Sequence, residues 1–244
     1  MATGVLALVH ILAWKTDLFD RKAGAWKSAS GGIGIAYAFL VLMPTLAKAQ
    51  QGFTPTSDSG LYGFLAHHYY LVALAGLVVY YSMDIAVERV LLRPERRPWR
   101  ALAKALVYSH AGAMSGYFLL TGYLLVEMYS QSIASLVLFA GAMLAHFAAI
   151  DHGLHTKYGG LYEAVLRWVF ALSTVGGAIL AIATHVEHTT LALWNALFAG
   201  ALIVSTIKEK VPDSSYGRIR PFMAGVLGYS ILLLVLEYVG ALAE

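Results

Sequence analysis

Eight long apolar stretches follow one another along the 244-residue chain and constrain its fold more than any other feature. A helix that crosses a bilayer needs about 20 apolar residues. Only 13% of the residues are charged, against about 25% in soluble domains. The pattern therefore predicts an all-α, polytopic membrane protein that is surrounded by the lipid bilayer. The predicted membrane helices cover residues 2–15, 29–49, 61–86, 101–128, 131–154, 161–185, 189–207 and 219–241.

The polar segments between these stretches are too short to hold a separate core, so residues 1–244 are predicted to form a single helical domain. The first residues, MATGVLALVHILAWK, have no basic side chain before the apolar run. They are therefore interpreted as a first membrane helix and not as a cleaved signal. The chain contains no Cys, which excludes disulfides, thiolate metal sites and Cys nucleophiles.

Lys and Arg residues are concentrated in alternate loops. Sixteen of the 17 fall on one side of the predicted bundle, and only Lys48 falls on the other. The positive-inside rule assigns the basic side to the cytoplasm, and both termini are then extracytoplasmic. The net charge of +3 is explained by this orientation and does not require a nucleic-acid partner. We expect an integral protein of a bacterial inner (plasma) membrane.

Ionisable residues inside the apolar stretches are the candidates for a functional site. Residues 146–160, HFAAIDHGLHTKYGG, follow fifteen uncharged residues, and His110 lies at a similar depth in the preceding stretch. Buried ionisable groups are costly in a membrane and often mark ion paths, and His and carboxylate ligands suit Zn, Fe or Mn ions. The predicted metal ligands are His110, His146, Asp151, His152 and His155. In this interpretation His110 and His146 face each other, and Asp151 and His152 lie below them along a cation path, with Asp151 as the exit carboxylate.

The same residues also have a purely structural interpretation. His110 and His146 would then form hydrogen bonds between helices, while Asp151, His152 and His155 would meet water at a helix end. Both interpretations stay open at this point.

Other polar and small residues have simpler interpretations. Several polar residues lie at the extracytoplasmic side: His67, His68, Glu127 and the segment THVEH (184–188). We interpret them as solvated loop residues in preference to a site that captures a cation. Runs of small residues let helices approach closely. Close packing is therefore predicted for residues 30–38, 110–116, 175–178 and 198–201.

Several stretches resemble the ZIP (Zrt/Irt-like) metal transporter family. SASGGIGIAYAFLVLMPTLAKAQ (28–50) is similar to its second helix, and residues 146–181 are similar to its fifth and sixth. Residues 198–213 and 221–234 resemble the seventh and eighth helices, and are closer still to a bacterial branch of ZIP-like proteins. The resemblance implies a ZIP-like bundle of eight helices and transport, without enzyme activity, of a divalent metal cation towards the cytoplasm. Zinc is the first expectation for this substrate, and the family allows a homodimer.

The residues that match the family's metal motifs are His110 in the fourth helix (HNxxD) and His146 in the fifth helix (HExxH). Apolar residues occupy the other ligand positions of these motifs: Ala111, Met114, Phe147 and Ile150.

Three further functions stay open beside transport. The first is a ZIP-fold relative without metal transport that has a binding or sensing role. The second is an intramembrane metal-dependent hydrolase built around His110, His146 and Asp151. The third is a haem-bearing electron carrier with His110 and His146 as axial ligands.

Overall fold

The computed structural model describes residues 1–12, 18–52, 60–91, 100–210 and 218–241. Over these ranges the secondary structure is helical, with no strand, which confirms the all-α prediction for the described part of the chain. Two π-helical segments, Ala38–Leu42 and Tyr162–Leu166, lead into α3 and α8. The α-helices are α1 (Ala2–Leu12), α2 (Leu18–Tyr37), α3 (Met43–Gly52), α4 (Leu61–Ala66), α5 (Tyr69–Leu91), α6 (Arg100–Gln131), α7 (Ile133–Tyr158), α8 (Arg167–Ala183), α9 (His188–Lys210) and α10 (Ile219–Ala241).

Six helical segments within the described ranges are long and apolar enough to cross a bilayer. Large apolar side chains on them stay exposed, among them Leu172, Ile182 and Leu234. Extensive exposed apolar surface of this kind marks contact with a membrane. The chain is therefore an integral membrane protein. The six segments are Gly24–Gln51, Tyr69–Leu91, Ile133–Tyr158, Tyr162–Ala183, His188–Lys208 and Ile219–Val239.

Two of the eight predicted spans, those of α1 and α6, are not among the six segments. The described part of α1 has 11 residues and is about 16 Å long, roughly half of the bilayer core, while residues 13–15 of its predicted span lie outside the described residues. α6 has 32 residues, but polar residues such as Ser109, His110 and Ser115 interrupt its apolar sequence. Helix formation is confirmed in both segments, whereas a full crossing by either one stays a prediction.

The third predicted span, 61–86, consists of two helices. α4 ends at Ala66 and α5 begins at Tyr69. Nδ1 of His68 lies 2.7 Å from the carbonyl oxygen of Phe64, and the Gln50 side-chain amide donates to the carbonyl of His67. In a continuous helix these carbonyl groups would accept hydrogen bonds from backbone N–H groups. At the interruption the side chains of His68 and Gln50 are their partners instead.

Close crossings in three helix pairs, α2–α10, α5–α9 and α6–α8, hold the bundle together. Each crossing has a glycine on both helices, so the backbones meet without side chains between them. A Cβ atom on Gly177 would lie 1.8 Å from the Leu119 carbonyl oxygen, and one on Gly122 would lie 1.9 Å from that of Thr174. The glycines at the other two crossings are Gly32 with Gly225, and Gly76 with Gly200.

The prediction of close packing therefore holds for the small-residue runs 30–38, 175–178 and 198–201. It does not hold for the run 110–116, where a Cβ atom on Gly112 or Gly116 would have nothing within 4 Å. This part of α6 is not a glycine-mediated helix crossing.

α7 carries residues 146–158 through the interior of the bundle. It contacts α1, α2, α6 and α10. The seven consecutive residues 145–151 are all buried, and at 100° per residue they point in all directions around the helix. A helix that is buried all round lies in the core. The packing thus places the ionisable side chains of α7 among other helices and not in lipid.

Candidate functional site

The end of α7 is set by Gly159, whose φ of 51° is a conformation that favours glycine. Its N–H donates to the carbonyl of His155 at 2.8 Å. The turn brings Glu163 back, so that its Oε1 atom lies 2.8 Å from Nε2 of His155. These two side chains are 28% and 44% exposed. His155 therefore forms a partly exposed pair at a helix end, and His152 lies half-buried one turn earlier.

Asp151 lies opposite His10 of α1, and the two side chains form a hydrogen-bonded pair, here called the buried pair. Nδ1 of His10 is 2.8 Å from Oδ2 and 3.0 Å from Oδ1 of Asp151. Both side chains have an exposure of 0%. A buried carboxylate is stable only when it is paired and hydrogen-bonded. The pair therefore links α1 to α7, and Asp151 does not face a path to water in this conformation.

Thr174 and Tyr162 complete the surroundings of the buried pair. Nε2 of His10 lies 3.2 Å from Oγ1 of Thr174, and the Thr174 hydroxyl lies 3.1 Å from the Phe170 carbonyl oxygen. The Tyr162 hydroxyl donates to the His10 carbonyl at 3.1 Å. Because the Thr174 hydrogen can turn towards either acceptor, Nε2 has a partner whether or not it carries a proton.

Three phenylalanine rings surround His10. Its ring centroid is 4.3 Å from that of Phe118, 4.8 Å from Phe147 and 6.1 Å from Phe170. These rings come from α6, α7 and α8, so three helices exclude water from the pair. A hydrogen bond is stronger in such a low-dielectric environment than in water.

A carboxylate, an imidazole and a hydroxyl in contact with one another also form the arrangement that activates the nucleophile in many hydrolases. Thr174 would be the nucleophile, but its exposure is 0%. Its neighbours are a backbone carbonyl and aromatic rings, so a lipid substrate cannot reach the hydroxyl in this conformation. The arrangement is that of a packed polar contact between helices.

A second group of ionisable residues, the Asp84 network, lies where α5, α6, α7 and α9 approach each other. The Asp84 carboxylate is 2% exposed and accepts hydrogen bonds from the ammonium groups of Lys157 and Lys208. Lys208 also lies 3.0 Å from the exposed Glu88 carboxylate. The members of the network are Asp84, Glu88, His110, Lys157, Tyr158 and Lys208.

His110 belongs to the Asp84 network. Its Nε2 atom lies 3.7 Å from Oδ1 of Asp84, and its Nδ1 atom lies 2.6 Å from the Tyr158 hydroxyl. The ring is 2% exposed. An imidazole and a carboxylate are thus adjacent, but two lysines already neutralise the carboxylate.

His146 has different neighbours from His110. Its ring lies 5.9 Å from the ring of Tyr117, which is seven residues beyond His110 in α6 and hence about 10 Å along the helix axis. The two predicted ligands are both buried, but they lie at different levels of the bundle. Within the described residues, no group of three or more His, Asp and Glu side chains is arranged to hold a metal ion.

Two cavities lie at opposite ends of α7 and α9. The basic-end cavity, of about 510 Å³, is lined by Lys27, Ala149, Gly153 and Lys208 together with other members of the Asp84 network. The far-end cavity has a volume of about 970 Å³. Its lining includes Tyr37, Lys48, Glu127, Phe139, His188, Asn195 and Glu237.

Sequence reasoning missed the two residues that organise these polar groups, His10 and Asp84. Each is the single His, Asp, Glu, Lys or Arg residue of an otherwise uncharged run, ALVHILA and YYSMDIAV respectively. Such isolation within a membrane helix is the signal that could have identified them. Their partners lie more than 70 residues away, so the sequence pattern alone does not reveal the pairs.

Glu187 of the segment THVEH caps α9. Its carboxylate accepts from the backbone N–H groups of Thr189 and Thr190 at 3.1 and 3.2 Å, and from the Tyr62 hydroxyl at 2.7 Å. Hydrogen bonding from Thr189, and then from Tyr62, lowers the pKa of this exposed carboxyl group from 4.5 to about 2. The oxygens of Glu187 are therefore engaged in holding a helix terminus.

Acidification is expected to loosen the first turn of α9. Because the pKa of Glu187 is lowered in the folded state, its contribution to stability is present above pH 4.5 and is lost as the pH falls towards about 2. Amide hydrogen exchange at Thr189 and Thr190 measures this loss as a fall in protection relative to the intrinsic rates. The Glu187→Gln variant should show a much weaker pH dependence, whereas identical curves for the two proteins would contradict the capping role.

Comparisons of this chain with models of known protein families, with curated proteins and with solved structures find no match. The ZIP resemblance therefore rests on the sequence stretches alone.

Proposed function

We propose that this protein is a membrane transporter that moves a divalent metal cation towards the cytoplasm, with eight crossings and both termini outside. The observation that carries the proposal is the position of the two cavities. α2, α7 and α9 each contribute residues to both the basic-end and the far-end cavity. A transporter needs access to its path from each side in turn, and cavities at opposite ends of shared helices suit that requirement.

An aromatic layer closes the floor of the far-end cavity. The Tyr37 ring lies 5.9 Å from Phe139 and 6.2 Å from Tyr229, and Tyr117 stacks on Phe198 at 4.8 Å. Ten residues of α7, about 15 Å, separate Phe139 from Ala149 at the basic-end cavity. Transport requires this layer to open, because no ion crosses packed rings.

The π-helical segment Ala38–Leu42 is the proposed point of bending. Single π-helical turns interrupt the regular hydrogen-bond pattern and are frequent at functional sites. Leu40, Val41 and Leu42 of this segment line the far-end cavity, as does Pro44 just beyond it. A bend at this position would move α3 relative to α2 and change the width of the cavity.

Zinc is the first expectation for the transported cation. His110 and Asp84 provide an imidazole and a carboxylate side by side near the basic-end cavity, and these ligand types suit Zn²⁺. In this conformation the ammonium groups of Lys157 and Lys208 are bonded to the Asp84 carboxylate. A cation would therefore bind Asp84 only after the lysines have moved away, which makes the lysines its competitors.

A binding or sensing protein without metal transport is the second candidate. Two observations favour it: the neutralisation of Asp84 by two lysines and the lack of a three-ligand group among the described residues.

Zinc uptake into proteoliposomes tests the proposal. The wild type should accumulate Zn²⁺ in the lumen faster than protein-free vesicles. Asp84→Asn and His110→Ala should each lower the initial rate by about tenfold or more, the usual scale for damage to a metal site. Glu187→Gln, which changes an exposed carboxylate that lines neither cavity, should keep most of the rate. A folded wild type that transports neither zinc, iron nor manganese would favour the second candidate.

Accessibility of single introduced cysteines tests the proposed orientation, since the chain has no native Cys. Ser130 and Thr156 are exposed near opposite ends of the α6–α7 unit. In intact cells, a membrane-impermeant thiol reagent should label Ser130→Cys but should label Thr156→Cys only after permeabilisation. The reverse pattern would place the basic loops outside and overturn the orientation.

A further inference from the structure

An apolar opening between α5, α6 and α9, here called the lateral groove, lies beside the proposed transport path. It has a volume of about 260 Å³ and is lined by residues that include Gly76, Met83, His110, Gly116, Tyr117 and Trp194. Among the described lining residues, His110 carries the only imidazole, Tyr80 and Tyr117 carry hydroxyl groups, and the other side chains are apolar or aromatic. The groove therefore fits an apolar ligand.

The groove opens towards the bilayer. Val79 and Trp194 on its walls are 54% and 53% exposed, and both lie within membrane-crossing segments, Tyr69–Leu91 and His188–Lys208. The surrounding solvent at this depth is the acyl chains of lipids. On α5 the groove runs from Gly76 to Met83, a length of about 10 Å at 1.5 Å per residue.

The size and surroundings of the groove fit one hydrocarbon chain. An apolar cavity of about 150 Å³ holds one benzene molecule. The groove offers about 260 Å³, which on the same scale leaves room for a hydrocarbon segment of roughly ten carbons. We propose that the lateral groove is a binding site for one acyl chain of a membrane phospholipid.

A bound chain would close the side of the bundle next to the Asp84 network. His110 forms part of the groove wall and contacts Asp84 and Tyr158 on its other side. Hydrocarbon in the groove would separate these polar groups from mobile lipid, which lowers the chance of a water defect reaching them. The binding site does not depend on the proposed transport of a cation.

Glycines on α6 allow the groove to be filled without disturbing the fold. A Cβ atom on Gly116 or on Gly112 has nothing within 4 Å, but only Gly116 lines the groove. Gly116→Leu should therefore occupy the space of the chain, and Gly112→Leu is its matched control. Both changes raise helix propensity by a similar amount. Ala113→Phe, at another lining position, is a second filling variant.

Fluorescence quenching of Trp194 measures the binding directly. The full chain, with its other tryptophans changed to phenylalanine, is purified in detergent and titrated with a phospholipid brominated in the middle of its acyl chains. Quenching should saturate at a low ratio of lipid to protein. Gly116→Leu and Ala113→Phe should weaken the apparent affinity by about tenfold or more, the effect of losing about two buried CH₂ groups. Gly112→Leu should leave it unchanged.

Two results would overturn the proposal. Identical quenching curves for the wild type and Gly116→Leu would mean that Trp194 only meets the general lipid surroundings. A change from dimer to monomer in Gly116→Leu, measured by light scattering, would assign the groove to a second copy of the chain.

Discussion

Replacement of Gly177 by valine is expected to disrupt the crossing between α6 and α8. The Cβ atom of the new side chain would lie 1.8 Å from the Leu119 carbonyl oxygen and 2.9 Å from the Tyr123 nitrogen. Both contacts are with backbone, so no side-chain rotation relieves them and the helices must move apart. Overpacking of a core costs about 1–3 kcal/mol and occasionally more. We expect about 3 kcal/mol here, or a fall in the unfolding temperature of about 10 °C.

Gly176 provides a control on the same turn of α8. A Cβ atom at Gly176 would have nothing within 4 Å. Gly176→Val is therefore the same substitution on the same helix, but without a clash. Unfolding of both variants in detergent can be followed by tryptophan fluorescence. Equal unfolding temperatures for the two variants would contradict the role assigned to the glycine crossings.

The helical architecture could be predicted from the sequence because membrane helices bond their own backbones and leave a continuous apolar signal. Each predicted stretch is helical over most of its described residues, but single positions interrupt a helix or change its end. His67 and His68 interrupt the stretch 61–86 because their backbone and side-chain groups form a turn. Residues 13–15 of the first predicted span lie outside the described residues, and the described part of α1 contacts α7 and α8.

The candidate site was less predictable because its partners come from distant helices. His146 and His110 were expected to face one another, yet each has its own aromatic or polar neighbours. Asp151 was expected near water, and it is buried against His10. The sequence identifies which residues are costly to bury, whereas the choice of partner is decided by packing between helices. Their role as metal ligands stays a prediction.

Replacement of Asp151 by alanine is expected to be among the most destabilising changes in the chain. It removes the acceptor of the His10 ring nitrogen in a position where both side chains are fully buried. Breaking a buried pair by removing one partner costs about 3–5 kcal/mol, because the remaining group keeps its desolvation penalty. The unfolding temperature should fall by about 10 °C. The His155–Glu163 pair is the matched control, since it has the same chemistry and the same 2.8 Å separation but is partly exposed.

The control and a double variant separate a structural role of Asp151 from a role in a cation path. Glu163→Ala should cost only about 0–1 kcal/mol, as for exposed ion pairs. Changing both members of the buried pair, with His10→Phe and Asp151→Leu, should recover much of the stability, because the site is already surrounded by phenylalanines and apolar replacement of a whole buried pair is often neutral. The Thr174 hydroxyl keeps its partner at the Phe170 carbonyl. If Asp151→Ala instead abolished zinc uptake while the unfolding temperature stayed unchanged, Asp151 would act as the exit carboxylate of a cation path, and the structural role would be wrong.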